Sequence, residues 1–107
     1  MPAERLDHDP FDALGDPNRR AIIEVLAGGD RAVSEIAQAL PISRPAVSRH
    51  LRLLKEAGLV SDAAVGNRRM YSLDVKGIEA IQDYMTSIWG EAAIRFRLAA
   101  ENTRESG

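Results

Sequence analysis

A chain of 107 residues with 45% hydrophobic and 28% charged residues has the composition of one globular domain. It contains no cysteine, which excludes disulfides, thiolate metal sites and cysteine nucleophiles. With neither a signal peptide nor an apolar run long enough to cross a membrane, we expect a cytoplasmic protein that makes no membrane contact.

The first third of the chain predicts a tail and two helices. Residues 1–10 are polar and acidic and indicate a flexible tail. A short helix is expected from Phe11 to Gly15, and the second helix has an N-cap and a proline at its first position, Asp16 and Pro17. We interpret two cations near its start as a solvated face, with phosphate contact as the less favoured alternative: Arg19 and Arg20.

A pair of helices follows. Residues 30–32 are predicted to form a loop, and Ser34 to cap a short helix. Ser43 then caps a longer helix over residues 44–57, and Gly58 supplies the left-handed conformation that ends it. Two helices joined in this way are typical of a helix-turn-helix, whose second helix enters the major groove of DNA, although such pairs also occur as plain packing units.

The longer helix has two unlike faces. Val47, Leu51 and Leu54 recur at helical spacing and predict a buried stripe. Residues 44–69 carry six basic and two acidic residues, whereas the net charge of the whole chain is −2. Such segregation is expected of a surface that meets phosphate, although many charged runs are only solvated faces. The residues predicted to contact DNA from this helix are Arg44, Pro45, Ser48, Arg49, Arg52 and Lys55.

Beyond Gly58 the apolar period changes from helix to strand. Residues 59–65 and 68–73 are predicted to form a hairpin joined by Gly66 and Asn67, both of which tolerate a positive φ. This register pairs Val65 with Arg68, Ala64 with Arg69, Asp62 with Tyr71 and Val60 with Leu73. Arg68 and Arg69 then form an exposed basic tip, the wing of a winged helix, which either contacts DNA or serves as a solvated turn.

The last segment predicts a long amphipathic helix over residues 74–102, capped by Asp74 and followed by a flexible tail at 103–107. Its length exceeds what so small a core can cover, so its apolar face predicts a dimer interface. The alternative is a helix that only wraps its own domain. The predicted interface residues are Phe11, Ile81, Met85, Ile88, Trp89, Ala92 and Phe96.

Catalysis is not indicated. Ser48 and His50 lie two residues apart on a helix and point in different directions, so they cannot act as nucleophile and base. His50 is interpreted as a packing or phosphate-contacting residue. We expect no enzyme activity, no cofactor and no metal site.

Four segments resemble the ArsR family of bacterial winged-helix repressors. They are FDALGDPNRR at residues 11–20, SRPAVSRHL at 43–51, EAGLV at 56–60 and GNRRMYSL at 66–73. The resemblance implies a homodimer, joined through the terminal helices, that binds a palindromic operator in double-stranded DNA. By the positions that they occupy in these motifs, the resemblance also implies that three residues contact bases or nearby phosphates: Arg44, Ser48 and Arg49.

The resemblance is to the branch of the family without its known metal sites. Where many relatives hold metal-binding cysteines, this chain has Ala37 and Ala39, and its last helix contains no histidine. We therefore expect a mainly α fold with a small β-hairpin over residues 11–73, acting as a dimeric repressor that does not respond to metals. Two alternatives stay open: a repressor released by an organic ligand between the terminal helices, and a winged helix that binds an acidic protein.

Overall fold

A computed structural model describes residues 9–106, and the side chains of residues 9–100. Of the tail predicted at residues 1–10, residues 1–8 lie outside this part of the chain. The prediction is wrong for the last two residues, because Pro10 begins the first helix and Asp9 is its N-cap. Within the described part, five helices and three strands occur in the order α1 (Pro10–Ala13), α2 (Pro17–Ala27), β1 (Arg31–Ala32), α3 (Val33–Ala39), α4 (Arg44–Glu56), β2 (Val60–Val65), β3 (Arg68–Leu73) and α5 (Val75–Ser106). The arrangement is a winged helix-turn-helix, which confirms the predicted fold class.

Three of the predicted N-caps are present. The carboxylate of Asp16 accepts hydrogen bonds from the first-turn amides of α2, the closer at 2.7 Å. Ser43 Oγ accepts the N–H of Ala46 at 3.2 Å, and Asp74 Oδ1 accepts the N–H of Lys76 at 3.0 Å. Each side chain satisfies an amide that has no partner within its helix, so the starts of α2, α4 and α5 follow directly from the local sequence.

The predicted cap of α3 is wrong. The helix begins at Val33, which makes Ser34 its second residue, and Ala32 occupies the N-cap position. Glu35 Oε1 accepts the N–H of Ala32 at 2.8 Å, because a glutamate at the third helical position can reach back to the chain before the helix.

The predicted loop at residues 30–32 is also wrong in part. Arg31 and Ala32 form β1, which pairs antiparallel with β3, Arg31 opposite Tyr71 and Ala32 opposite Met70. The sheet order is β1-β3-β2. A strand of two residues is too short to show alternation, so only its pairing with β3 reveals it.

The hairpin has the predicted register. All four expected pairs are present: Val65 with Arg68, Ala64 with Arg69, Asp62 with Tyr71 and Val60 with Leu73. Gly66 adopts a φ of 64° in the two-residue turn. The matching register confirms that turn length and alternation were sufficient to align these strands.

The core is organised around the inner face of α4. Val47, Leu51 and Leu54 are fully buried, as the stripe predicted. They belong to one apolar cluster that includes Ile22 of α2 and Ile36 of α3. Burying each of these side chains contributes about 1.5 to 3 kcal/mol, so this cluster determines which face of α4 points outward.

The start of α5 is held against the turn that follows α4. Asp74 N–H donates to the carbonyl oxygen of Leu59 at 2.9 Å. A Cβ on Gly77 would stand 1.8 Å from the carbonyl oxygen of Gly58, so only glycine fits there. The local sequence does not reveal this role of Gly77, because the contact is with a residue nineteen positions away.

The other end of α5 extends further than predicted. It continues to Ser106, so residues 103–106, expected to be a tail, are helical. The segment beyond Phe96 contains neither glycine nor proline until Gly107, and alanine, arginine and glutamate favour helix.

Gly77→Ala is expected to lower the free energy of unfolding by about 1–3 kcal/mol, since the added methyl group must push the start of α5 away from Gly58. Helix propensity alone predicts the opposite sign, a gain of up to about 1 kcal/mol. Urea denaturation at equal protein concentration measures the difference.

Gly28→Ala is the matched control. A Cβ there meets its nearest heavy atom at 3.4 Å, an ordinary contact distance. A Gly77→Ala protein as stable as Gly28→Ala would show that the contact with Gly58 does not restrict α5.

Candidate nucleic-acid interface

The outer face of α4 is exposed along its whole length. The six residues predicted to contact DNA from this helix all lie on the solvent side: Arg44, Pro45, Ser48, Arg49, Arg52 and Lys55. The buried stripe holds them there, because opposite faces of a helix point in opposite directions. The result is a convex cationic ridge with short side chains near its N-terminal end, a shape that fits a DNA groove.

The two wing arginines are already paired with carboxylates. Arg68 Nη2 lies 3.0 Å from Glu35 Oε1 of α3, and Arg69 Nη1 lies 2.9 Å from Asp62 Oδ2 of β2. Sequence reasoning placed both arginines at an exposed tip but identified neither partner. The predicted register placed Asp62 near Arg69, whereas Glu35 is brought to the wing only by the packing of α3.

Asp62 joins the wing to α4. Its side chain is only 8% exposed, and it also lies 2.7 Å from Nζ of Lys55. The hydrogen bond from Lys55 and that from Arg69 hold the pKa of the Asp62 carboxyl below its usual value, although burial opposes them. One largely covered carboxylate therefore binds two of the predicted DNA-contacting cations and fixes the wing relative to α4.

Arg19 and Arg20 do more than form a solvated face. Arg19 Nε donates to the carbonyl oxygen of Ala13 at 2.6 Å, and Arg20 Nη1 donates to that of Leu14 at 2.7 Å. Cations commonly bind the free carbonyl groups at a helix C-terminus. These two side chains thus tie α2 to the end of α1.

His50 belongs to the packed side of α4. It is 8% exposed, and its Nδ1 lies 3.4 Å from a guanidinium nitrogen of Arg19. A guanidinium can only donate, so Nδ1 accepts and the ring is neutral. Burial lowers the pKa of His50, and Arg19 and Arg49 lower it further, whereas Asp16 acts in the opposite direction. The structure thus agrees with the interpretation of His50 as a packing residue.

The predicted dimer residues divide into two groups. Ile81 packs on the domain core, and the ring of Phe11 lies 4.9 Å from that of Tyr84, centroid to centroid. Further along α5, Trp89 is 59% and Phe96 78% exposed. Met85, Ile88 and Ala92 are also exposed, as are three large apolar residues that the predicted set omitted: Tyr84, Ile94 and Leu98.

Residues 9–106 present neither a candidate metal site nor a candidate membrane span. No group of three or more histidine, aspartate or glutamate side chains in the described part of the chain is arranged to hold a metal ion. None of the described helices is both long and apolar enough to cross a membrane.

Comparison with known proteins agrees with this geometry. Residues 16–62 match the model of the bacterial regulatory protein arsR family. The chain is 50% identical over 82 residues to the HTH-type transcriptional regulator Rv2034 of Mycobacterium tuberculosis, covering 77% of each protein. It is 39% identical over 75 residues to the transcriptional repressor SdpR of Bacillus subtilis, covering 70% of this chain and 83% of that one.

A solved structure shows the same fold. It is the homodimeric winged helix-turn-helix DNA-binding domain of a possible ArsR-family transcriptional regulator from Mycobacterium bovis. The two chains share 29% identity with a TM-score of 0.62, and the match covers 78% of this chain and 77% of that one.

The fold and the exposed cationic helix define a DNA-binding transcriptional regulator of the winged helix-turn-helix class. The chain belongs to the ArsR family of bacterial regulatory proteins, as its resemblance predicted. Members of this family are regulators and not enzymes, which confirms the expectation that the chain has no catalytic function.

The free energy of unfolding is expected to fall as pH drops below about 6.5, the ordinary pKa of histidine. The folded state holds His50 with a lowered pKa, so below that pH the unfolded chain binds a proton that the folded chain resists. The stabilisation is therefore complete above about pH 6.5, and it is lost at a slope of no more than about 1.4 kcal/mol per pH unit. Urea denaturation between pH 7 and 5 measures the slope.

His50→Gln should remove this slope, and His8→Gln, which replaces the only other histidine, should retain it. The carboxyls with lowered pKa values begin to titrate only at lower pH. If His50→Gln keeps the wild-type slope, burial of this imidazole is not its cause.

Proposed function

We propose that this regulator is a cytoplasmic homodimeric repressor that binds a palindromic operator and does not respond to metals. The observation that carries the proposal is the outward cationic face of α4, fixed in direction by the buried stripe on its inner side. Two such helices in a dimer would enter successive major grooves on one side of the duplex.

Base reading is assigned to the N-terminal half of α4. Arg49, supported by Ser48 and Arg44, is exposed on the outer face, and arginine can bond both acceptors of guanine in the major groove. Pro45 packs close to the groove floor in this arrangement. The remaining cations contact phosphate and set the register of the protein on DNA: Arg52, Lys55, Arg68 and Arg69.

Dimerisation is assigned to α5. A shallow apolar groove lined by Trp89, Ala92, Phe96 and neighbouring residues runs along the part of α5 that, within the described residues, extends beyond the domain core. Burying one large apolar side chain contributes about 1.5 to 3 kcal/mol, which favours covering this face with a second copy. The homodimeric state of the related Mycobacterium bovis domain supports the same assignment.

Repression without metal control has two supports. The relative SdpR is a transcriptional repressor. The helix before α4 carries Ala37 and Ala39 where the family's thiolate sites have cysteine, and alanine offers no ligand atom. These two positions therefore cannot hold a metal through thiolates.

Arg49→Ala is expected to reduce discrimination between operator and scrambled DNA by about 1–3 kcal/mol, because it removes hydrogen bonds to a base and leaves phosphate contacts in place. The operator is first selected from random duplexes with the wild-type protein, and both affinities are then measured by fluorescence anisotropy.

Arg52→Ala makes the same charge change on the same helix, and it should weaken both duplexes about equally. An operator-to-scrambled ratio in Arg49→Ala that equals the wild-type ratio would remove Arg49 from base reading.

Trp89→Glu is expected to yield monomers, because a carboxylate placed in the apolar face must be desolvated when two copies meet. Half-sites in a palindrome lie about 34 Å apart, and a monomer contacts only one of them, so operator affinity should fall steeply. Sedimentation velocity measures the oligomeric state and anisotropy measures DNA binding.

Trp89→Phe keeps an apolar ring and should remain dimeric and bind operator. Circular dichroism of both variants checks that the winged helix is folded. A folded Trp89→Glu protein that is still dimeric contradicts the α5 interface.

A further inference from the structure

A cationic cleft lies between the wing and the helix-turn-helix. Its volume is about 230 Å³, and its lining includes three arginines together with a hydroxyl and a carboxamide: Arg44, Arg68, Arg69, Ser34 and Asn67. Ser34 and Asn67 were not among the residues predicted to contact DNA. Three cations and two neutral hydrogen-bonding groups around one opening are suited to an anion with several acceptor oxygens, such as phosphate.

One of these three arginines, Arg68, already forms an ion pair with a carboxylate of the protein. Glu35 follows Ser34 in α3, and its Oε1 lies 3.0 Å from Nη2 of Arg68. The N–H of Ala32 and the nearby arginines hold the pKa of Glu35 below its usual value, so this carboxylate is charged at neutral pH. The charge of Arg68 is therefore balanced by Glu35 within the protein before DNA binds.

Glu35 and Asp62 hold their arginines in different ways. The side chain of Asp62 is only 8% exposed and is bound by two cations. The side chains of Glu35 and Arg68 are 43% and 53% exposed, and an exposed pair of this kind is weak and readily exchanged. Only the Glu35 pair is thus able to open without disturbing the fold.

We propose that the cleft binds one phosphate group of the DNA backbone, contacted by Arg44, Arg68, Ser34 and Asn67, and that Glu35 competes with this phosphate for Arg68. The proposal rests on the proposed contact between wing and DNA and adds its regulation. Competition lowers affinity for every sequence alike, since phosphate contacts carry no base information. Glu35 therefore weakens the binding of the regulator to any duplex, operator and non-operator alike.

Competition also affects the salt dependence of binding. A cation that meets phosphate normally displaces about 0.9 counterion from B-DNA. When Arg68 leaves Glu35 to do so, the freed carboxylate attracts a cation from solution, and the net ion release falls. Removing the charge of Glu35 should restore that release.

Glu35→Gln is the test, because the carboxamide keeps an Oε1 that accepts the Ala32 N–H and removes only the charge. The probe is a duplex of random sequence, titrated by fluorescence anisotropy over a range of potassium chloride concentrations. The variant should bind about two- to fivefold more tightly at fixed salt. Its slope of log affinity against log salt should be steeper by up to about one unit.

Two controls separate this effect from a general change of charge. Glu24→Gln makes the same change at an exposed site of α2 that takes part in none of the ion pairs found in the described residues, and it should have a much smaller effect. In a protein that already carries Arg68→Ala, the Glu35→Gln change should have no further effect, since the competition acts through Arg68 alone.

The outcomes that overturn the proposal are distinct. Weaker DNA binding by Glu35→Gln would show that Glu35 positions Arg68 for DNA, and an unchanged slope would show that the pair is only a surface bridge. Selective release of DNA by inorganic phosphate, compared with chloride at equal ionic strength, would assign the cleft to a free phosphate group. A wild-type protein that binds no duplex would instead refute the proposed function itself.

Discussion

Burial of Val47, Leu51 and Leu54 is the contact on which the remaining surface of the protein depends. A helix advances about 100° per residue, so once this stripe is fixed against α2 and α3, every outer side chain of α4 has a determined direction. A shift of one position in the stripe would turn Arg49 away from solvent. The apolar core therefore sets the orientation of α4. The cations face solvent because they lie on the opposite side of the same helix, and they need no contacts of their own to direct them.

Two carboxylates lie within the cationic surface and have different roles. The side chain of Asp62 is largely covered and pairs with both Lys55 and Arg69, so it connects the wing to α4. Glu35 reaches Arg68 from an exposed position, where an ion pair contributes little stability. A DNA-binding face built only of cations would bind any duplex strongly, and placing acidic groups among them moderates that tendency.

The long terminal helix α5 has one part that packs on its own domain and one part that extends beyond it. Its first turns pack on the domain through Gly77 and Ile81, and Tyr84 meets Phe11. Beyond that point the helix leaves the core, and within the described part of the chain Trp89 and Phe96 are largely exposed. Because one continuous helix carries both parts, a partner bound to the exposed part would be held rigidly with respect to α4 and the wing.

Local chemistry was sufficient for much of this protein. The capping residues Asp16, Ser43 and Asp74, the apolar period of α4 and the two-residue turn at Gly66 each act over a few positions, so the helix starts, the buried stripe and the hairpin register could be predicted from the sequence. Charge segregation and the motifs of residues 43–51 likewise indicated the exposed cationic face of α4 that is proposed to bind DNA.

Tertiary structure alone decided the features that join distant segments. Strand β1 exists because β3 lies beside it, Gly77 is required because α5 crosses the turn after α4, and Glu35 meets Arg68 because α3 packs against the wing. A linear pattern records which side chains are apolar or charged and at what spacing. It does not record which distant backbone or carboxylate each one will meet, since those distances are set only when the core closes.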